Sequence, residues 1–256
     1  MNRYLIHIQY LGFRFHGWQR QPGVKTVESM VCKTLKCVLG HSEFKVLGTS
    51  RTDAMVSATH SVFELFINQT LNSDAFLGKL NRNLPPDIRA LDLEIVPPRF
   101  NVINSPRTKV YCYFFAFEER WHPFCAPFMA WIPEKLDIEL MQEGALLFKG
   151  VHNFVRYCTK PSPGMVFNRE IITSCIEENN MLCANFFPRR SWVYKVSAAG
   201  FMRHQVRLMM GQLIALGKGE ITLEEIVQSL TGRDQIPLES IAPASGLMLN
   251  KVVFHE

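Results

Sequence analysis

No stretch of this 256-residue sequence is long and apolar enough to read as a membrane span, and Met1-Asn2-Arg3 runs directly into the strand-like Tyr4 to Gln9. Neither a membrane helix nor a signal peptide is expected. Cysteine occurs without a pairing pattern: Cys32, Cys37, Cys112, Cys125, Cys158, Cys175 and Cys183 are odd in number and contain no Cys-x-x-Cys. That speaks against structural zinc and fits a reducing cytoplasm. The eight histidines show no His-Glu-x-x-His and no other ligand spacing, so neither a metal nor a cofactor is expected. Strong charge is missing too. A formal net charge of +5 is compatible with RNA binding and equally ordinary for a metabolic enzyme. A hydrophobic content of 47% is enough for one large core or two compact ones.

What is present begins with Gly48-Thr49-Ser50-Arg51-Thr52-Asp53-Ala54. Its Gly, Ser and Thr favour turns, and it lies between the apolar run Phe44 to Leu47 and the alternating run Ser61 to Phe66. A carboxylate presented by a short loop at a strand end is a candidate nucleophile, with Arg51 two residues away. On these residues alone, an Asx-type turn or a surface ion pair explains the segment more simply. A second landmark is Phe201 to Gly211, which reads as a helix start carrying Arg203, His204 and Arg207 beside the apolar stripe Val206, Met209, Met210, Leu213 and Leu216. Arg203 and Arg207, one turn apart, are expected on one face. Arg207 falls at the border of the buried face, where a guanidinium needs an acid or phosphate partner.

Periodicity gives the order of elements. Tyr4 to Tyr10 alternates as a strand, and Val27, Met30, Val31, Thr34, Leu35 and Val38 share one helical face. Strands at Phe44 to Leu47 and Ser61 to Phe66, a helix at Asp74 to Asn83 and a strand at Leu91 to Val96 follow. That is βαββαβ, the ferredoxin-like order. The second half repeats it with insertions. Strands are expected at Val110 to Phe117, Ile171 to Glu177, Leu182 to Phe186, Trp192 to Ser197 and Leu247 to Phe254. Helices are expected at Ile138 to Phe148, at Arg203 to Leu216 and from Thr222, where Thr222 and Glu225 form a capping-box pattern. Proline-rich Arg120 to Pro133 and Lys160 to Gly164 read as inserts. The expected architecture is therefore α+β, with two ferredoxin-like halves, 1–103 and 104–256, whose sheets join beside a cleft.

These landmarks fall in the order of a known family. Tyr10-Leu11-Gly12, Gly17-Trp18-Gln19-Arg20-Gln21, Arg51-Thr52-Asp53-Ala54, Asn83-Leu84-Pro85-Pro86-Asp87-Ile88 and Lys109-Val110-Tyr111-Cys112-Tyr113 come first. His152-Asn153-Phe154, the Phe201 to Gly211 segment and Ala244-Ser245-Gly246-Leu247-Met248-Leu249 follow. With these motifs in sequence, essentially the whole chain resembles the TruA-type tRNA pseudouridine synthases. The chain departs from the pattern in two places. Around Phe100-Asn101-Val102-Ile103 the family commonly carries an RNA-gripping arginine, and this chain has none until Arg107. The family usually continues its catalytic loop with Gly-Val-His-Ala, where this chain has Met55-Val56-Ser57-Ala58. A Met in place of Gly is costly wherever φ is positive. The lost His would remove a donor to RNA phosphate or sugar, so the departures bear on recognition more than on chemistry.

The resemblance implies an isomerase that converts uridine to pseudouridine in tRNA, most often in the anticodon stem-loop. It implies a cofactor-free cytoplasmic homodimer with Asp53 as nucleophile and Arg207 as the cation that keeps it ionised. Tyr111 would lie against the uracil, and Leu247 would form an apolar wall of the pocket. On its own residues, Tyr111 reads as a core aromatic among Tyr113, Phe114, Phe115 and Phe117. Arg51 would hold the flipped nucleotide's phosphate or fill the gap it leaves, with Arg20, Arg107 and Arg203 as further RNA contacts. The other reading left open by the Met55 to Ser57 departure is a protein of the same fold that binds structured RNA with lost or altered activity.

Overall fold

The computed structural model describes residues 1–255, and its internal contacts divide the chain into two compact units. The first comprises Met1–Arg107 together with the chain from Leu249 onward; the second is Thr108–Met248. Against the expected 1–103 and 104–256, most of the closing strand sides with the first unit.

In the first unit β1 (Asn2–Tyr10), α1 (Val27–Leu39), β2 (Phe44–Gly48), β3 (Ser57–Ile67), α2 (Ser73–Asn83) and β4 (Ile88–Ile95) follow the βαββαβ order. β1 lies between β3 and β4, antiparallel to both. β3 is long enough to pair with β2 at its far end and to neighbour the returning strand β10 (Leu247–Phe254). Alternation sends Tyr4, Ile6 and Ile8 of β1 and Phe63 and Leu65 of β3 into the core. α1 adds Val27, Val31 and Leu35; it opens on a reciprocal Thr26/Ser29 capping box and ends on Gly40 in the left-handed conformation.

The segment after β4 is tied down by a buried carboxylate. Glu64, wholly buried, receives the Arg3 guanidinium at 2.6 Å and the Val102 N–H at 3.2 Å. Arg3 also donates to the carbonyls of Pro98 and Phe100, and Phe100 packs edge-on against Phe254.

The second unit contains β5 (Arg107–Phe117), β6 (Ala130–Ile132), α3 (Ile138–Leu146), β7 (Gly150–Asn153), β8 (Asn168–Glu178), β9 (Trp192–Ala198), α4 (Gln205–Gly217) and α5 (Leu223–Ser229). β5, β9, β8 and β7 form a continuous antiparallel run, and β6 pairs in parallel with the end of β5. Asp137 caps α3, and the Thr222/Glu225 capping box opens α5 as expected. One face of the sheet carries Cys112, Phe114 and Val193, closed over by Trp121 and by Leu182, Phe186 and Phe187 from the connection between β8 and β9.

The structure corrects several sequence expectations. Leu182 to Phe186 is not a strand, because the Asn179 side chain accepts the N–H groups of Met181 and Leu182 at 3.0 and 3.1 Å and turns the chain. β3 begins at Ser57, four residues before the expected Ser61, and β4 begins at Ile88 in place of Leu91. β6 and β7 are too short to announce themselves by alternation. α4 starts at Gln205, so Arg203 precedes the helix and shares no helical face with Arg207.

Candidate active site

The two motifs nearest the amino end turn out to be one structure. The turn carrying Asp53 is gripped along its length by the segment from Tyr10 to Trp18. Trp18 N–H donates to the Thr52 carbonyl at 3.1 Å, and the Tyr10 hydroxyl meets Thr52 Oγ1 at 2.8 Å in a buried pair. Beyond Asp53, Met55 N–H donates to the Phe15 carbonyl at 3.0 Å, and Val56 N–H closes a turn onto the Asp53 carbonyl at 3.2 Å. At the far end Gly12 N–H donates to Ser57 Oγ at 2.9 Å.

The glycines of the opening motif follow from this grip. A Cβ on Gly12 would collide with the Val56 carbonyl, and one on Gly17, whose φ is +81°, would collide with the Thr52 carbonyl. Trp18, buried against Tyr10 and Phe63, occupies the space beside Gly48. Thr49 roots the loop: its N–H donates to the Val62 carbonyl at 3.1 Å and its hydroxyl to the Val102 carbonyl at 3.3 Å. Asp53 is half-buried on this framework, and Arg51 is exposed.

The family's Gly and His positions are now explicable. Met55 has φ 68°, the left-handed region that a Gly enters freely and an L-residue enters at about 1–2 kcal/mol. Ser57 is buried, its hydroxyl spent on Gly12. The side chain at position 57 is an internal clamp.

The second unit holds the other predicted residues. Tyr111 on β5 is 9% exposed and stands edge-on to Phe201, centroids 5.2 Å apart at 89°. Arg207, half-buried on α4, donates Nε to the Ala242 carbonyl at 2.8 Å and accepts Ala242 N–H on its own carbonyl at 3.1 Å. The neighbouring carbonyl, that of Pro243, accepts the hydroxyl of the fully buried Tyr113 at 2.9 Å. Burial pushes the Tyr113 hydroxyl above the ordinary tyrosine range, with the Arg207 charge opposing weakly. Gly246 packs so closely on Phe114 and Tyr113 that no side chain fits there. Segment 242–246 is thereby pinned, and it delivers the buried Leu247 at the head of β10.

α4 begins abruptly because His204 has φ 62°, its Nδ1 2.9 Å from Thr159 Oγ1, while the Arg203 carbonyl accepts Thr159 N–H. Arg203 and Arg20 are exposed, the latter with its backbone N–H on Glu28 at 2.6 Å. The Arg107 guanidinium donates to the carbonyls of Ile103 and Ser105, and burial lowers its pKa from the ordinary arginine range. Among the described residues, no group of three His, Cys, Asp or Glu side chains is placed to hold a metal. No helix among them is long and apolar enough to cross a membrane.

Motif spacing alone did not reveal Tyr10, Thr52, Ala242 and Pro243 as parts of the framework. The signal for the first two lay in their adjacency to Gly12 and Asp53.

An α+β chain of ferredoxin-like units, with a loop-borne aspartate in the first and a Tyr-x-Tyr strand and arginine helix in the second, belongs to the pseudouridine synthase class of isomerases. The profile of the family described as tRNA pseudouridine synthase matches residues 145–255. Over 256 residues the chain is 32% identical to tRNA pseudouridine synthase A of Dictyoglomus thermophilum, covering 98% of this chain and 99% of that protein. It is 30% identical to tRNA pseudouridine synthase A of Thermodesulfovibrio yellowstonii, covering 96% and 97%. It is 32% identical to tRNA pseudouridine synthase A 2 of Bacillus anthracis, covering 99% and 100%. The chain belongs to the tRNA pseudouridine synthase family.

Proposed function

We propose that this enzyme isomerises uridine to pseudouridine in the anticodon stem-loop of tRNA, with Asp53 as nucleophile. The observation that carries the reading is the framed loop: Asp53 sits half-buried between a clamped Thr52 and a turn closed by Val56. The reaction breaks the bond from the anomeric carbon to N1 and forms one to C5; the C5 proton is lost and N1 gains one, with no net redox change. Asp53 attacks either the anomeric carbon or the uracil ring, and both routes need it ionised. Arg207 supplies the opposing cation, its orientation set by the bond from Nε to Ala242. Tyr111 lies against the uracil and Leu247 walls the pocket. Arg51, Arg20 and Arg203, all exposed, contact phosphate. By the same family likeness the enzyme works as a cytoplasmic homodimer, which sedimentation of the purified protein tests.

Asp53→Asn keeps the size of the side chain and removes its charge. Release of tritium from tRNA labelled at uridine C5 is expected to vanish in this variant, with tRNA affinity and melting temperature held near wild type. Substantial turnover by Asp53→Asn would refute the assignment. Tight tRNA binding without tritium release by the wild-type protein would favour the RNA-binding reading instead.

A further inference from the structure

We propose that Met55 is an apolar wedge for RNA, a specificity-determining side chain that enters the base stack beside the uridine on which Asp53 acts. The inference rests on the proposed isomerase reading and adds a residue to it.

The starting observation is a conformation that does not suit its occupant. Met55 has φ 68°, and the bond it makes there, backbone N–H to the Phe15 carbonyl, is one that glycine would make equally well. Nor is the residue sequestered in the core, since it remains 36% exposed, beside the buried Val56 and Ser57. Strain of this kind persists where the surrounding structure over-determines it, and it concentrates at functional positions. Here the over-determination is visible on both sides: Val56 N–H on Asp53, and Ser57 on Gly12. A long apolar side chain is thus held two residues beyond the nucleophile, on a loop that is fixed at both ends.

The chemistry of that side chain indicates its target. An unbranched thioether is flexible and polarizable and makes favourable contacts with aromatic faces. Apolar side chains, Met among them, unstack nucleic acid by inserting between base steps. An enzyme that acts on an extruded base must first meet that unstacking cost. Arg51, exposed and cationic on the same loop, suits phosphate; Met55 suits a base face. Its partner is therefore the base neighbouring the target uridine.

The test exploits the opposition between folding and function at this site. Met55→Gly relieves the backbone strain, so its melting temperature is expected to equal or exceed that of wild type. Loss of function in that variant cannot then be assigned to unfolding. Once the modified uridine is mapped, a tRNA carrying 2-aminopurine beside it reports unstacking as a rise in fluorescence on binding. Met55→Gly and Met55→Ala are expected to lose most of that rise and to slow single-turnover tritium release about tenfold, within the range a base stack contributes. Met55→Leu, which keeps the apolar bulk, is expected to retain both. Wild-type fluorescence change and rate in Met55→Gly would overturn the wedge while leaving the isomerase reading intact. Absence of any modified uridine with the wild-type enzyme would overturn that reading, and the wedge with it.

Discussion

At the scale of single residues, Ser57 illustrates how a departure from a family pattern is accommodated. Its hydroxyl is the acceptor for a buried backbone N–H of Gly12, at a point where no other residue than glycine fits. Removing the hydroxyl strands that N–H, which typically costs about 1–3 kcal/mol. Ser57→Ala is therefore expected to lower the urea midpoint by a corresponding amount and to reduce kcat more than it weakens tRNA binding, because the clamp holds the loop and touches no RNA. An unchanged urea midpoint would remove Ser57 from the framework. That Ser57 faces inward is decided by its place at the start of β3.

At the scale of elements, three strands of the first unit are linked by a hydrogen-bonded histidine pair. The Val252 N–H of β10 donates to Nδ1 of His60 on β3 at 3.3 Å, so His60 carries its proton on Nε2 and presents it to His7 Nδ1 on β1 at 2.8 Å. His7 Nε2 lies 2.9 Å from a carboxylate oxygen of Glu94 on β4. Protonating His60 adds a hydrogen at the atom that accepts from Val252. Its pKa is lowered from 6.5, first by burial, then by His7 and Lys251, with Glu94 acting in the opposite direction. A folded-state pKa below the unfolded one means that the unfolded chain binds more protons in the window between them. The contribution of His60 is thus complete above 6.5 and is lost as pH falls from there through the folded value. Melting temperature measured across this range is expected to drop on acidification, with a shallower drop in His60→Gln; identical profiles would contradict the pairing.

At the scale of the whole molecule, binding and chemistry should separate by residue. Net charge does not achieve this, because +5 is modest; the salt dependence of tRNA affinity does. Arg51→Ala is expected to reduce the slope of log affinity against log salt by about one, as loss of one phosphate contact does. Arg207→Lys keeps the charge but has no Nε to hold the Ala242 carbonyl, so its slope should stay at the wild-type value while turnover falls by roughly a hundredfold, the scale of a small misplacement in an active site. Equal turnover in Arg207→Lys and wild type would reduce the arginine to a phosphate contact.

The sequence by itself determined the parts governed by local physics. Period-two and period-3.6 patterns placed β1, α1, α2, α3, β5 and β9, and capping chemistry placed the start of α5. Motif order along the chain was enough to name the family. What only the tertiary structure decided depends on partners far away in sequence. α4 starts after His204 because Thr159 holds that turn, and Arg107 bends onto its own loop. The aspartate loop takes its shape from a segment some forty residues earlier, through Thr52 on Tyr10 and Ser57 on Gly12. Periodicity registers which residues prefer burial. It carries no information about which distant carbonyl or hydroxyl will satisfy them, and that pairing fixes the site.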